Sequence, residues 1–190
     1  MTGLSPVRLV SCPTHIKRIV VSLFTELNLY IVPVDCFKIC ELLGIRVIKY
    51  SEVKEEKRKA CKAFSKDGFF LEKEKNGQSV FEIYYDDSMY DRRIRFTIMH
   101  EIGHIVLDHT EHSDLAESEA NFFAKYALAP PPLIHKYKPE DYYELAEIFQ
   151  LSQECAMNAM KFYNRWLRYG PRNYLDYEIV LLDLFSEIQT

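Results

Sequence analysis

The pattern of apolar and polar positions predicts a small sheet in the first half of the chain. Short runs rich in β-branched and aromatic residues favour three strands, at residues 45–50, 68–72 and 80–85. Asn76-Gly77 stands between the last two runs and is typical of a two-residue hairpin turn. We therefore expect a sheet of about three strands, the last two of them joined as a hairpin.

Helical periodicity dominates the remainder of the chain. Over residues 92–109 and 115–128, apolar residues recur every three or four positions, as in a helix with a buried face. The run Pro130-Pro131-Pro132 stops the second of these helices and is the best candidate for a boundary. Strands followed by a run of helices favour an α+β fold. Further helices are predicted at about 14–29 with Thr14 as N-cap, 35–44, 140–149, 153–168 with Ser152 as N-cap, and 175–188.

Composition narrows the class of protein. The 190 residues are 48% hydrophobic and 14% aromatic, which is enough to fill a core, and no apolar run approaches the ~18 residues of a membrane span. A net charge of −4 argues against a surface that binds nucleic acid or anionic membrane over the whole molecule. The five cysteines are odd in number and form no CxxC pair, so we expect free thiols in a reducing compartment, the cytoplasm.

An HExxH motif lies within one of the predicted helices, at residues 100–104. Residues four apart share a helix face, so the imidazoles of His100 and His104 can bind one zinc ion. Glu101 lies about 100° round the helix, too far round to be a third ligand but able to reach a water on the metal. We therefore predict that Glu101 is the general base that takes a proton from this water.

A catalytic zinc site needs a third protein ligand and one open position. The helix predicted at 115–128 supplies two glutamates, Glu117 and Glu119. Glu117 and Asn121 are four apart and share a face, so we favour Glu117 as the ligand and Asn121 as a hydrogen-bond partner of a ligand histidine. Glu119 points about 160° away from that face, and we expect it to face solvent. It is kept as the alternative ligand.

The segment RFTIMHEIGH at 95–104, followed by ESEANFFA at 117–124, resembles the ImmA/IrrE family of zinc metallopeptidases. The family's patterns are similar: RFT-x-x-HE-x-GH, then E-x-E/Q-A-N/D-x-FA. A Leu-Leu-Met-Pro sequence follows in that family, where this chain has ALAP at 127–130, a departure that affects packing more than metal binding. The strong match covers residues 92–130.

This resemblance implies a site and a substrate. Carried over by position, the family's zinc ligands fall on His100, His104 and Glu117, and its general base falls on Glu101. Members of the family cleave a partner transcriptional repressor of the helix-turn-helix type, often beside mobile elements or in stress responses. The resemblance therefore implies a zinc endopeptidase that removes such a repressor and relieves repression.

The resemblance also implies a fold. A zincin-like (gluzincin) peptidase domain is expected at 1–130, with a helical region at 131–190 that can dock the substrate. In zincins a strand at the sheet edge commonly holds the peptide substrate as an added strand. By analogy with that fold, the 80–85 strand is the expected edge, because it comes directly before the motif helix.

Two other functions stay open. A module that keeps the zinc site could sequester a repressor without cutting it, although sequestration has no use for a general base such as Glu101. A DNA-binding regulator is the other, because residues 145–156 resemble a helix-turn-helix. Residues 153–164 of the would-be recognition helix, however, carry only Lys161 as a base. The donor for a developing oxyanion also stays open among several residues: His109, His112, His135, Tyr84, Tyr85 and Tyr126.

Overall fold

The computed structural model describes residues 12–111 and 113–186, and these form an α+β fold, as predicted. The three strands lie between helices in the first half, and helices alone make up the second half. Two short 3-10 turns, Tyr50–Glu52 and Gly170–Arg172, complete the described structure. The elements are α1 Pro13–Glu26, α2 Cys36–Leu42, β1 Arg46–Lys49, α3 Glu55–Phe64, β2 Gly68–Lys75, β3 Gln78–Tyr85, α4 Asp91–Val106, α5 Asp114–Leu128, α6 Pro131–Tyr137, α7 Tyr142–Phe149, α8 Gln153–Trp166 and α9 Asp176–Leu184.

Side-chain caps explain where several helices begin. Asp35 accepts hydrogen bonds from two backbone N–H groups at the start of α2, and Ser152, the predicted N-cap of α8, accepts one from Cys155. The prediction of Thr14 as the cap of α1 is wrong. That helix begins at Pro13, whose fixed φ suits the first helical position and whose nitrogen has no N–H to satisfy.

The sheet has the strand order β1-β3-β2. β2 and β3 are antiparallel, and Asn76 and Gly77 join them with φ angles of 55° and 75°, the left-handed values of the predicted hairpin turn. β1 pairs in parallel with the other side of β3. The prediction that residues 80–85 form the edge is therefore wrong, because β3 has a neighbour on each side. Among the described residues, the edge next to the motif helix belongs to β2.

The core lies between the sheet and the helices. α4 packs against β2, β3 and α5, and it contributes Ile98 and Ile102, which are fully buried. The same cluster of buried residues includes Leu133, Leu145 and Leu181 from the helices after the proline run. Pro131 begins α6, a helix that the sequence did not predict, so the proline run starts one helix as it ends another. No helix within the described residues is long and apolar enough to span a membrane.

Candidate metal centre

Two adjacent helices bring three potential ligands together. On α4, Nε2 of His104 lies 3.0 Å from Nε2 of His100, one turn away. The carboxylate of Glu117, in the first turn of α5, lies 3.3 Å from each of these nitrogens. The three ligand atoms all lie within 4.8 Å of one another, and they are the one such group in the described part of the chain. Two imidazole nitrogens and a carboxylate are a donor set that fits a divalent transition metal.

Close packing of α4 on α5 makes this convergence possible. Gly103 faces Phe123 so closely that a Cβ added there would lie 3.0 Å from the ring. Ala120 and Ala124, which are fully buried, keep the facing side of α5 small. The small residues of both helices therefore set the separation across which Glu117 reaches the two histidines.

His100 is held ready for metal binding by its surroundings. Burial lowers the pKa of His100, against the opposing attraction of the Glu117 carboxylate. The neutral imidazole that results is the form that ligates a metal.

Glu101 lies in the same cavity but in a different electrostatic setting. Its side chain is buried, and this burial, followed by the charge of Glu117, raises the pKa of Glu101 to about 8. A hydrogen bond from the backbone N–H of Phe70, on the edge strand β2, works in the opposite direction. A carboxyl group with a pKa near neutrality is suited to take up and release a proton at physiological pH.

His104 is the first of three hydrogen-bonded side chains whose connection the sequence did not predict. Nδ1 of His109 lies 2.9 Å from Nδ1 of His104, and Nε2 of His109 lies 3.1 Å from Oε2 of Glu119. Because Nε2 of His104 faces the other two ligands, its proton belongs on Nδ1, which donates to His109. His109 then carries its proton on Nε2 and donates it to Glu119. We call these three residues the histidine relay.

The expectation that Glu119 faces solvent is wrong. Asp108 adopts a left-handed backbone (φ 54°) at the end of α4, and the N–H of His109 bonds to the carbonyl of His104 at 3.0 Å. This turn folds the chain back so that His109 fills the space between α4 and the side of α5 that carries Glu119. The Glu119 side chain is only 14% exposed as a result.

The structure does not give the remaining predicted site residues the roles expected of them. Asn121 lines the cavity, but its amide donates at 2.8 Å to the backbone carbonyl of Glu117 rather than to a ligand histidine. The described candidates for the oxyanion donor do not line the cavity, and His112 lies outside the described residues. Arg93, which the sequence analysis missed, does line it, where it forms an ion pair with Asp67. The cavity has a volume of about 530 Å³ and is open to solvent on one side.

Comparison with known proteins identifies the family. The profile of the IrrE N-terminal-like domain, a peptidase family, matches residues 40–161. This region includes all three strands, both motif histidines and Glu117. No curated protein and no solved structure was found to match the chain. The match covers more than half of the chain and confirms the resemblance seen in its motifs, so the chain belongs to the ImmA/IrrE family of metallopeptidases.

Proposed function

We propose that the protein is a zinc-dependent endopeptidase that cleaves a partner helix-turn-helix repressor and so relieves repression, in a mobile element or in a stress response. The observation that carries this proposal is the convergence of His100, His104 and Glu117 in an open cavity that also holds Glu101. Structural zinc sites close the ion off with four protein ligands. Three ligands beside a carboxyl group and open space favour catalysis instead.

Zinc is the metal that this donor set favours, because imidazole nitrogen and carboxylate oxygen together form a borderline set. When bound, Zn²⁺ supplies Lewis acidity: it polarises a peptide carbonyl and lowers the pKa of water towards ~7. The neutral imidazole of His100 and the carboxylate of Glu117 would hold the ion. The relay from Glu119 through His109 would fix the ring of His104.

The chain's own residues divide the remaining tasks. Glu101 accepts a proton from the attacking water and passes it to the leaving amine, a role for which its raised pKa is suited. The edge strand β2 would hold the substrate as an added strand, because Gly68 and Phe69 line the cavity. Arg93 would offer positive charge to the developing oxyanion from the cavity wall.

A specific repressor as substrate is supported by the family resemblance. The five cysteines are all free, which suits an enzyme of the cytoplasm, where such repressors act. An open zinc site in that compartment would endanger other proteins unless binding energy remote from the metal selected the substrate. The helical region 131–190 is the part of the chain that we propose for this docking.

Cleavage of a purified helix-turn-helix repressor, encoded beside this chain, tests the proposal. Wild type is expected to cut it at one site and to leave casein almost intact. Glu101→Gln is expected to keep about one zinc per chain and to lose cleavage, because an amide keeps the shape of the carboxyl but cannot accept the proton. Glu74→Gln, at an exposed position on β2, is the matched control and should cut like wild type.

Metal content measured by elemental analysis accompanies the assay. His104→Ala and Glu117→Ala should each lose most of the zinc. Binding of the repressor without any cut by fully zinc-loaded wild type would show that the protein sequesters the repressor instead. Full zinc occupancy in both alanine variants would contradict the assigned ligands.

A further inference from the structure

A second large cavity lies between α1, α5 and α8. Its volume is about 550 Å³, and three aromatic residues, Phe122, Tyr126 and Phe162, form part of its wall. The rings of Phe122 and Phe162 meet edge to face with centroids 6.1 Å apart, and both are partly exposed to solvent. We call this space the basic cavity, because its charged residues are all cationic: Lys17, Lys125, Lys161 and Arg165.

The four cations of the basic cavity are unusual in this acidic protein. Many of the other arginines and lysines form ion pairs with carboxylates, such as Arg18 with Asp176 and Arg92 with Glu147. Within the described residues, none of the four lies at ion-pair distance from a carboxylate, and no carboxylate lines the cavity. Like charges held together without counter-charges repel one another, so an anionic group that entered would be stabilised by all of them.

Two further groups in the wall of the cavity lack a full set of polar partners and would gain from an anionic ligand. The ammonium of Lys17 lies over the Tyr126 and Phe162 rings, at 5.8 and 5.4 Å from their centroids, and burial lowers its pKa. The acid whose charge attracts it is Glu178, whose oxygens already accept from Trp166 Nε1 and Leu175 N. The hydroxyl of Tyr126 is buried without a hydrogen-bond partner.

Cavities that share wall residues connect the metal cavity to the basic cavity along α5, and we call this path the groove. A smaller cavity of about 200 Å³ lies between them, shares Asn121 with the metal cavity and shares Lys125 with the basic cavity. Glu117, Asn121 and Lys125 follow one another at four-residue steps along one face of α5. Eight residues of helix span about 12 Å, which an extended peptide covers in about four residues. Among the described residues that line the connecting cavity, Glu154 is the one acid.

We infer that the basic cavity binds acidic side chains of the polypeptide substrate, about four residues to one side of the scissile bond. This inference rests on the proposed endopeptidase function. A carboxylate of the bound segment would face the four cations, and an adjacent apolar side chain would pack on Phe122 and Phe162. Acidic residues at this distance from the cut are thus a determinant of which segment is cleaved.

Duplex nucleic acid is the other polyanion that four cations could attract. The basic cavity is concave and its cations surround aromatic rings, whereas a groove-reading helix must protrude to enter the ~12 Å wide major groove. The walls shared with the metal cavity have no role in DNA binding, but they allow one peptide to reach both cavities. The acidic peptide is therefore the occupant that the structure favours.

The test uses zinc-loaded full-length protein and a degenerate dodecapeptide library. In the binding arm, immobilised Glu101→Gln protein retains peptides that are sequenced by mass spectrometry, and Asp and Glu should be enriched several-fold. The charge reversal Lys125→Glu/Lys161→Glu, added to Glu101→Gln, should abolish the enrichment, because like charges then repel. In the cleavage arm, wild type should cut peptides that carry an acidic residue about four positions from the cut, on one side of it only. Lys125→Glu/Lys161→Glu should cut these peptides about 10–100-fold more slowly.

A matched control separates the effect of charge in the basic cavity from the effect of the protein's net charge. Lys54→Glu/Lys59→Glu changes the charge equally, at exposed lysines before and within α3, and should behave like its parent in both arms. Zinc content and unfolding midpoint confirm that each variant is folded. The four lysines reversed in the test and control variants are all exposed, so these substitutions do not disturb the core.

The outcomes distinguish this inference from the proposed function. Charge-sensitive retention of acidic peptides, with no cleavage of either the library or the repressor by wild type, would support the groove and overturn the endopeptidase. Cleavage without acidic preference, or a preference unchanged by the charge reversal, would overturn the groove and leave the endopeptidase standing. A labelled 20-base-pair duplex that binds in a Lys125- and Lys161-dependent manner, with no acidic peptides retained, would overturn the groove in favour of nucleic acid.

Discussion

Removing the imidazole of His109 should weaken zinc binding, although His109 is not a ligand. In the histidine relay, the Nδ1–H of His104 donates to His109, which donates in turn to Glu119. His109→Leu deletes the acceptor and leaves the ring of His104 without the partner that sets its tautomer and orientation. His109→Asn keeps an acceptor oxygen near the place of Nδ1 and should preserve most of the affinity.

The burial of the relay sets the size of this effect. The side chains of His104 and His109 are 4% and 2% exposed, so water cannot readily replace the lost partner. A buried donor left without an acceptor costs about 1–3 kcal/mol. Because every ~1.4 kcal/mol is tenfold in an equilibrium constant, the Kd for zinc should rise about 10–100-fold. That range agrees with the effect of altering the partners of metal-bound histidines in other proteins.

Competition with a chromophoric zinc chelator measures the Kd, and urea denaturation of the metal-free protein measures stability separately. His135→Leu is the matched control, because His135 bonds to Tyr163 at 2.9 Å outside the metal cavity and should leave the Kd unchanged. NMR of the zinc-loaded protein should show the Nδ1–H tautomer for His104 and the Nε2–H tautomer for His109.

Wild-type zinc affinity in His109→Leu would refute the relay. So would an equal loss of affinity in His109→Leu and His135→Leu, since this would point to general destabilisation. Glu119→Gln provides a finer comparison, because its amide oxygen can still accept from His109 and the affinity should fall less than in Glu119→Leu.

Two further predictions concern the motif helix. Folding raises the pKa of Glu101 from its ordinary 4.5 to about 8, so as pH rises this group ionises first in unfolded chains. The free energy of unfolding of the metal-free protein should therefore fall between about pH 5 and pH 8, by a few kcal/mol at most. Urea titrations should show this fall in wild type and not in Glu101→Gln; equal slopes would contradict the assignment. Gly103→Ala should lower both the melting temperature and zinc affinity, because a steric cost of about 1–3 kcal/mol against Phe123 exceeds the ~1 kcal/mol gained in helix propensity. Unchanged values of both would show that Phe123 yields freely.

Local signals predicted much of this fold. The apolar spacing of α4 and α5, the cap at Ser152 and the turn at Asn76-Gly77 each depend on residues close together in sequence, and the structure agrees with all of them. The edge strand was predicted wrongly, because the parallel pairing of β1 with β3 joins residues 36 positions apart, for example Arg46 with Glu82. No local pattern encodes which side of a strand a distant partner will occupy.

The candidate site shows the same division. His100, Glu101 and His104 follow from helix geometry, and Glu117 follows from the facing side of the next helix. Glu119 was misjudged because a helical projection gives the direction of a side chain but not what lies there. The left-handed turn at Asp108 carries His109 into that space, and such a turn depends on backbone angles that an aspartate adopts only sometimes.

The charged end of β2 limits how the protein can associate with other chains. An open strand edge is a template for unwanted pairing and for aggregation, and within the described residues β3 alone pairs with β2. Beyond Leu71 this edge carries Glu72, Lys73, Glu74 and Lys75, all exposed, and such charges resist the dehydrated contact that sheet growth requires. The uncharged part that precedes Leu71 is only three residues long, and two of these residues, Gly68 and Phe69, line the metal cavity. The edge that would capture a locally unfolded segment thus has an uncharged part that is too short, and a remainder that is too highly charged, to seed a fibril.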